Sequence, residues 1–193
     1  MDPINIFCGI VLIVSLVSNL TGAKKGFKTS ISQNKEKPKT YLQKYPVNLS
    51  AIILIIVVLG VFKIGTIEIA ADYYFYRIAG LIFFALGSFL QIYSYKSLKN
   101  NYSQDVVILK DQKLVTLGIY KYVRHPQYFW QLISDLGVSI ALVSFIALPL
   151  VILLEIPLFY LRGKLEDKLL EKHFGEKFRN YKKRTGFFVP FIG

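Results

Sequence analysis

VNLSAIILIIVVLGVF, residues Val47 to Phe62, carries no charge over sixteen positions. A helix rises about 1.5 Å per residue, so roughly 20 predominantly apolar residues cross the hydrocarbon core of a bilayer. Two further runs read the same way: Ile4 to Thr21 is uncharged over 18 residues, and IAGLIFFALGSFLQIYSY, Ile78 to Tyr95, over another 18. From Tyr128 to Leu161 the chain has 34 residues with only Asp135 and Glu155 charged. That is too long for one crossing and predicts two short helices closed by a turn near Val143 to Pro149. The expected fold is all-α and integral to the membrane, with five transmembrane helices, the last two forming a helical hairpin. Pro149 and Pro157 interrupt the fifth and are expected to kink it, because neighbouring helices can re-satisfy the freed backbone groups.

Composition agrees. The chain has 193 residues, enough for about one domain, and is 53% hydrophobic but only 19% charged. A soluble domain is about a quarter charged. The basic residues are clustered: seven between Lys24 and Lys44, six between Lys96 and Arg124, and nine from Arg162 onward, so 7 + 6 + 9 = 22 of 24, leaving Lys63 and Arg77. Three alternate boundaries of a five-span chain lie on one side, and cytoplasmic loops collect Lys and Arg. The N-terminus is thus expected outside, with Asp2, Glu68 and Asp72, and the C-terminus in the cytoplasm. The net charge of +12 is a topology signal, and with no groove-reading module a nucleic-acid partner is not expected. The first run lacks a basic n-region and is longer than a typical h-region, so it is expected to be a retained helix and not a cleaved signal. There is no lipidation motif. One cysteine, Cys8, permits no internal disulfide, and two histidines give no zinc set; no metal is expected.

Residues 24–44 form an expected polar loop containing Pro38. Tyr73, Tyr74, Tyr76, Tyr93 and Tyr95 bracket the third span as an interfacial aromatic belt would. In the tail, Leu165, Leu169, Leu170, Phe174, Phe178 and Tyr181 recur at spacings of three and four, with charges on the other faces. This predicts a cytoplasmic amphipathic helix that continues the fifth span and is interrupted near Gly175. TGFFVPFIG then returns an aromatic end towards the membrane surface.

Two cytoplasmic segments concentrate polar groups. LVTLGIYKYVRHPQY, Leu114 to Tyr128, crowds Tyr120, Arg124, His125, Gln127 and Tyr128 ahead of the fourth span, and Pro126 biases His125 towards extended backbone. An interfacial anchor accounts for this stretch as well as a site does. RGKLEDKLLEKHFG, beginning at Arg162, puts Arg162 and Glu166 on one helix face. A surface ion pair worth under about 1 kcal/mol is the plain alternative there.

Taken together, the two segments resemble the isoprenylcysteine carboxyl methyltransferase family. The first pattern, GxYxxxRHPxY, falls on Gly118, Tyr120, Arg124, His125, Pro126 and Tyr128. The second falls on Arg162, Glu166, Asp167, Leu170, Phe174, Gly175, Phe178 and Tyr181, followed by Pro190 and Ile192. The resemblance covers residues 101–193, and the short chain is similar to prokaryotic members, archaeal or bacterial. The expected organisation is three N-terminal transmembrane helices over 1–95, which match the family only in being apolar, then a cofactor-binding loop, hairpin and cytoplasmic tail over 96–193 as one structural unit. The resemblance implies S-adenosylmethionine as methyl donor and, as acceptor, the α-carboxylate of a prenylated cysteine whose lipid enters from the bilayer, among membrane lipids. By position, the family's cofactor contacts fall on Gln104, Lys113, Leu114, Val115, Tyr120, His125, Pro126, Gln127, Tyr128 and Glu166. Its substrate-side arginine falls on Arg162, making Arg162 and Glu166 the implied catalytic pair. Many members have glycine two places after the motif tyrosine; this chain has Phe129 and Trp130, which bears on the shape of the pocket floor.

The chemistry suits these residues. Methyl transfer from a sulfonium to a carboxylate needs alignment and exclusion of water, and no strong base, because the carboxylate is already ionised near neutral pH. A guanidinium can orient that carboxylate, and Glu166 can attract a cationic cofactor. There is no GxGxxG, which excludes a soluble Rossmann-type cofactor site. The rival readings are a phospholipid or other lipid N-methyltransferase, an NADPH-dependent sterol-type reductase, and a small transporter or membrane scaffold. An amine acceptor calls for a base, a reductase for more spans, and a transporter for mid-membrane ionisable residues, of which only Asp135 and Glu155 qualify.

Overall fold

The structure is a computed structural model that describes residues 2–68 and 70–192; the side chains of residues 23 and 25–34, Lys25 and Lys28 among them, lie outside the description. Among the described residues, seven α-helices carry the fold: α1 (Pro3–Gln33), α2 (Tyr45–Val61), α3 (Tyr74–Leu98), α4 (Pro126–Ala141), α5 (Ala147–Leu150), α6 (Ile156–Phe174) and α7 (Glu176–Lys182). Three helical runs among the described residues, Pro3–Gly22, Tyr41–Val61 and Ala71–Asn101, are long and apolar enough to cross a membrane. They match the three apolar runs. Large apolar side chains such as Ile13, Ile55, Phe75 and Phe89 face outward, the arrangement of a protein whose solvent is lipid.

Between α5 and α6, Val151–Glu155 is a π-helical turn. Pro149 and Pro157 flank it, and a π-turn absorbs the backbone mismatch that proline introduces. α6 then continues through Arg162 and Gly163 to Phe174, and Gly175, at φ +56, ends it in the left-handed region. The expected continuation of the fifth helix and its break at Gly175 are both present.

The polar loop expected over residues 24–44 is only half a loop. α1 runs on to Gln33, because no proline interrupts the chain before Pro38 and Lys and Gln are good helix formers. The segment then forms strand β1 (Asn34–Glu36), antiparallel to β2 (Ile108–Leu109), with Asn34 opposite Leu109 and Glu36 opposite Ile108. This strand pair departs from the all-α expectation. Gln43 joins the same two loops: its Nε2 donates to Val106 O at 2.8 Å and its Oε1 accepts from Val106 N at 3.0 Å. The aromatic belt is also one residue smaller than expected. Tyr95 is buried, packs over Gly22 and donates to Ser18 O at 2.8 Å, locking α3 to α1.

α3 and α4 pack through a glycine seam. A Cβ added at Gly80 would lie 2.7 Å from Ala141 N and Gly137 O, and one at Gly87 would lie 2.7 Å from Ser134 N. A Cβ at Gly137 would meet the backbone of Phe84. Small residues let helix backbones approach where lipid offers no hydrophobic drive between helices. Beside the seam, Cys8, Ile53, Val57, Phe84, Val138, Leu142 and Val151 form the apolar core. Arg77, one of the two basic residues outside the three blocks, is buried at the far end of the bundle. It donates to both Asp2 carboxylate oxygens (2.9 and 2.8 Å), Asn5 Oδ1 (2.8 Å) and Ala141 O (2.9 Å).

Candidate functional site

Where α4 begins, the chain must turn from the loop into the bundle, and Pro126 as its first residue leaves no backbone N–H unsatisfied there. His125 is held in place from two sides. Its backbone N–H donates to Phe187 O at 3.2 Å and that of Arg124 to Gly186 O at 2.9 Å, so the C-terminal segment clamps the motif. Gly163 makes this possible: a Cβ there would sit 2.6 Å from Phe187 Cζ and 3.3 Å from His125 Cδ2. The imidazole stacks on the Tyr128 ring at 5.6 Å between centroids and an interplanar angle of 4°.

His125 Nε2 lies 2.9 Å from Asp167 Oδ1, and Nδ1 lies 3.7 Å from Glu166 Oε2. Asp167 is 2% exposed and also accepts from Arg124 Nε at 3.3 Å. Burial alone would push its carboxyl up, but the His125 hydrogen bond and the charges of His125, Arg124 and Lys182 outweigh burial and hold it below the usual carboxylate range. An ionised Asp167 can only accept, so His125 Nε2–H donates a hydrogen bond to it and Nδ1 is turned towards Glu166. Asp167 was legible only as a motif position. Its signal is adjacency: on one helix, Glu166 and Asp167 present one carboxylate to the cavity and one behind the histidine.

Arg162 is no surface ion pair. It is 2% exposed. Its Nε donates to Tyr128 Oη at 3.2 Å, Nη1 to Leu42 O at 2.7 Å and Gln43 O at 3.0 Å, and Nη2 to Gln104 O at 2.6 Å. Four of the five guanidinium donors are thereby used: three hold the loop before α2 against the loop after α3, and the fourth fixes Tyr128 of α4. Tyr128 Oη donates onward to Glu166 Oε2 at 2.8 Å, so the tyrosine hydroxyl stands between Arg162 and Glu166. Tyr181 Oη donates to Tyr120 O at 2.7 Å, and burial pushes the Tyr120 hydroxyl well above its ordinary range, keeping it a neutral phenol.

These groups line one cavity of about 370 Å³, within the range of small-molecule sites. Of the candidate residues, Gln104, Lys113, Leu114, Val115, Tyr120, His125, Gln127, Tyr128, Arg162 and Glu166 all face it; Pro126 does not. Phe129 and Trp130 also lie off its lining and pack edge to face with each other at 5.0 Å, so they do not raise its floor. The cavity descends from the loops at one end of the bundle into its interior, where Leu12, Leu16, Leu54 and Phe84 form its apolar wall. A carboxylate, neutral phenols and the non-helical Lys113–Val115 segment on the lining suit a cationic, hydroxyl-rich nucleoside. The apolar wall below suits a lipid chain.

Residues 75–177 match the phospholipid methyltransferase family. The chain is 33% identical to the protein-S-isoprenylcysteine O-methyltransferase of Schizosaccharomyces pombe over 119 residues, which are 61% of this chain and 50% of that protein. It is 30% identical to the protein of the same name from Tribolium castaneum over 115 residues, 58% of this chain and 41% of that protein. The chain thus spans about half the length of the curated relatives it matches. Its fold is similar to that of a eukaryotic intramembrane Ras methyltransferase, an isoprenylcysteine carboxyl methyltransferase, with a TM-score of 0.65 at 20% identity over 100% of this chain and 69% of that one.

Proposed function

We propose that this chain, which belongs to the phospholipid methyltransferase family, is a membrane methyltransferase that uses S-adenosylmethionine to esterify the α-carboxylate of a prenylated cysteine. The observation that carries the reading is one cavity in which Glu166, oriented by Tyr128 and faced by His125, stands above an apolar wall. The residues fit the cofactor, which when bound supplies an electrophilic methyl on a sulfonium. Glu166 favours that positive charge from the cavity wall, and Tyr120, His125, Gln127 and the Lys113–Val115 backbone hold the polar remainder. Asp167 fixes the tautomer and orientation of His125, a positioning role. Arg162 keeps one Nη2 N–H beyond its four bonds, and this donor orients the acceptor carboxylate. No group on the chain has to remove a proton, since the acceptor is ionised. Catalysis is alignment and exclusion of water.

The site is tested by titrating the detergent-purified protein with S-adenosylhomocysteine. His125→Ala and Glu166→Ala are each expected to weaken binding roughly tenfold, the loss of one or two hydrogen bonds to charged groups, with the fold intact. If both bind like the parent, the cavity is not the cofactor site.

The same reading places five spans in the membrane, with α4 and the run from α5 into α6 as the fourth and fifth, and the C-terminus in the cytoplasm. What supports it is the division of charge: 22 of 24 basic residues lie in alternate segments, and Arg77 on the opposite side is neutralised by Asp2. Cys8 is fully buried, so single cysteines at positions 35 and 68 report topology without interference. Lys35→Cys is expected to resist an impermeant thiol reagent in intact cells and Glu68→Cys to react. Labelling at 35 from outside would invert the topology.

A second reading has the family description in its favour: a phospholipid amine as acceptor. It predicts a base-stable N-methyl product where the carboxylate reading predicts an ester.

A further inference from the structure

The segment that leads into α4 pairs in parallel with the C-terminal end of the chain. Gly186 N donates to Tyr122 O at 3.0 Å, and the amides of Arg124 and His125 donate to Gly186 O and Phe187 O. The Arg124 side chain adds donations from Nη1 to Thr185 O and Lys182 O. Beyond this pairing the chain turns back on itself. Phe187 N donates to Ile192 O at 2.7 Å and Ile192 N to Val189 O at 3.2 Å. The turn is therefore closed on Phe187, whose carbonyl holds His125 and whose ring lies 4.7 Å from the imidazole.

What the turn presents outward is apolar. Val189 is 45% exposed, Phe191 76% and Ile192 67%. Phe191 also stands at φ +64, a region that strains a bulky side chain. In water nothing would offset that strain, and glycine would serve the turn better. Phe188 carries the patch onto the bundle, its ring 6.3 Å from Phe129 of α4 and 6.5 Å from Tyr160 of α6. In the five-span reading those two residues lie where α4 and α6 meet the bilayer surface. Basic side chains rim the patch. Lys164 lies over the Tyr160 and Phe187 rings at 5.2 and 5.1 Å, and Lys183 and Arg184, both exposed, precede the turn. An apolar tip with a basic rim suits the boundary between lipid headgroups and acyl chains.

We propose that residues 187–192 insert into the surface of the surrounding bilayer and, through Phe187, keep Arg124 and His125 in register, so that the site is fully formed only in contact with lipid. The basic rim meets lipid phosphates, and Val189, Phe191 and Ile192 lie among the upper acyl carbons. This placement rests on α4 and α6 spanning the membrane, not on which side they open to. The clamp itself is independent of the reaction catalysed.

The full chain in nanodiscs containing anionic lipid tests both halves. With the single tryptophan removed by Trp130→Phe, Phe191→Trp reports the position of the turn by fluorescence. Lipids brominated high on their acyl chains are expected to quench it. Emission that stays water-like overturns the insertion, as does blue-shifted but unquenched emission, the mark of a second copy covering the turn. Phe191→Asp is expected to speed hydrogen exchange of the Arg124 and His125 amides roughly five- to tenfold, the worth of one backbone hydrogen bond, and to weaken S-adenosylhomocysteine binding with it. Phe191→Leu is expected to retain parental exchange and affinity. Exchange or affinity unchanged in the aspartate variant, or a leucine variant as impaired as the aspartate one, overturns the coupling. A parent that binds no S-adenosylhomocysteine yet shows the quenching and the exchange pattern would support the turn and count against the methyltransferase reading alone.

Discussion

Arg162→Lys is expected to lose methyl transfer by a factor of a hundred to a thousand, the order seen when one transition-state donor is removed, and to lose thermal stability with it. Lysine presents a point charge on a flexible stem and cannot span Tyr128, Leu42, Gln43 and Gln104 at once. Each buried carbonyl left without its donor costs about 1–3 kcal/mol. The losses are not additive, and roughly 3–5 kcal/mol for Arg162→Ala is the scale expected of a broken buried network. Because the arginine also pins the Gln104 loop, cofactor affinity is expected to fall together with kcat; an arginine touching only the acceptor would spare it. Thermal midpoints measured beside turnover with N-acetyl-farnesylcysteine separate the two effects. A lysine variant with near-parental turnover and midpoint would remove Arg162 from the catalytic set.

Gly137→Val is the other change with a large expected effect. The added Cβ meets the Phe84 backbone, and that backbone cannot step aside without opening the α3–α4 seam at Gly80 and Gly87. The expected outcome is destabilisation of at least about 3 kcal/mol, seen as little or no monodisperse protein after detergent extraction. Gly9→Ala is the control. Its Cβ meets only Val61 Cγ1 at 3.6 Å, ordinary contact, so extraction and midpoint are expected to stay within about 0.5 kcal/mol of the parent. Equal yields from the two variants would mean the seam is looser than drawn.

Apolar run length and charge spacing disclosed the first three helices, the amphipathic continuation past Arg162 and the stop at Gly175, because these are local properties of the chain. The candidate cofactor contacts between Lys113 and Tyr128, with Arg162 and Glu166, were legible as a set, and all but Pro126 face one cavity. What sequence could not disclose is tertiary. Nothing at Leu42 or Gln43 signals that their carbonyls receive a guanidinium from residue 162, since backbone acceptors have no side-chain signature. Gly80, Gly87 and Gly137 read as scattered glycines until α3 and α4 are docked. Glu155 reads as a lone charge in an apolar run until Asp135 is found beside it. The extension of α1 to Gln33 was hidden by polarity, which marks a loop and an exposed helix alike.

The measurement that bears most directly on the central claim uses the parent protein, S-adenosylmethionine labelled in its methyl group, and N-acetyl-farnesylcysteine. The expected result is label in a lipid-extractable product that base releases as methanol, the behaviour of a methyl ester, with S-adenosylhomocysteine inhibiting. Label that resists base and appears only with an aminolipid acceptor, or a protein that binds NADPH and ignores S-adenosylhomocysteine, would contradict it.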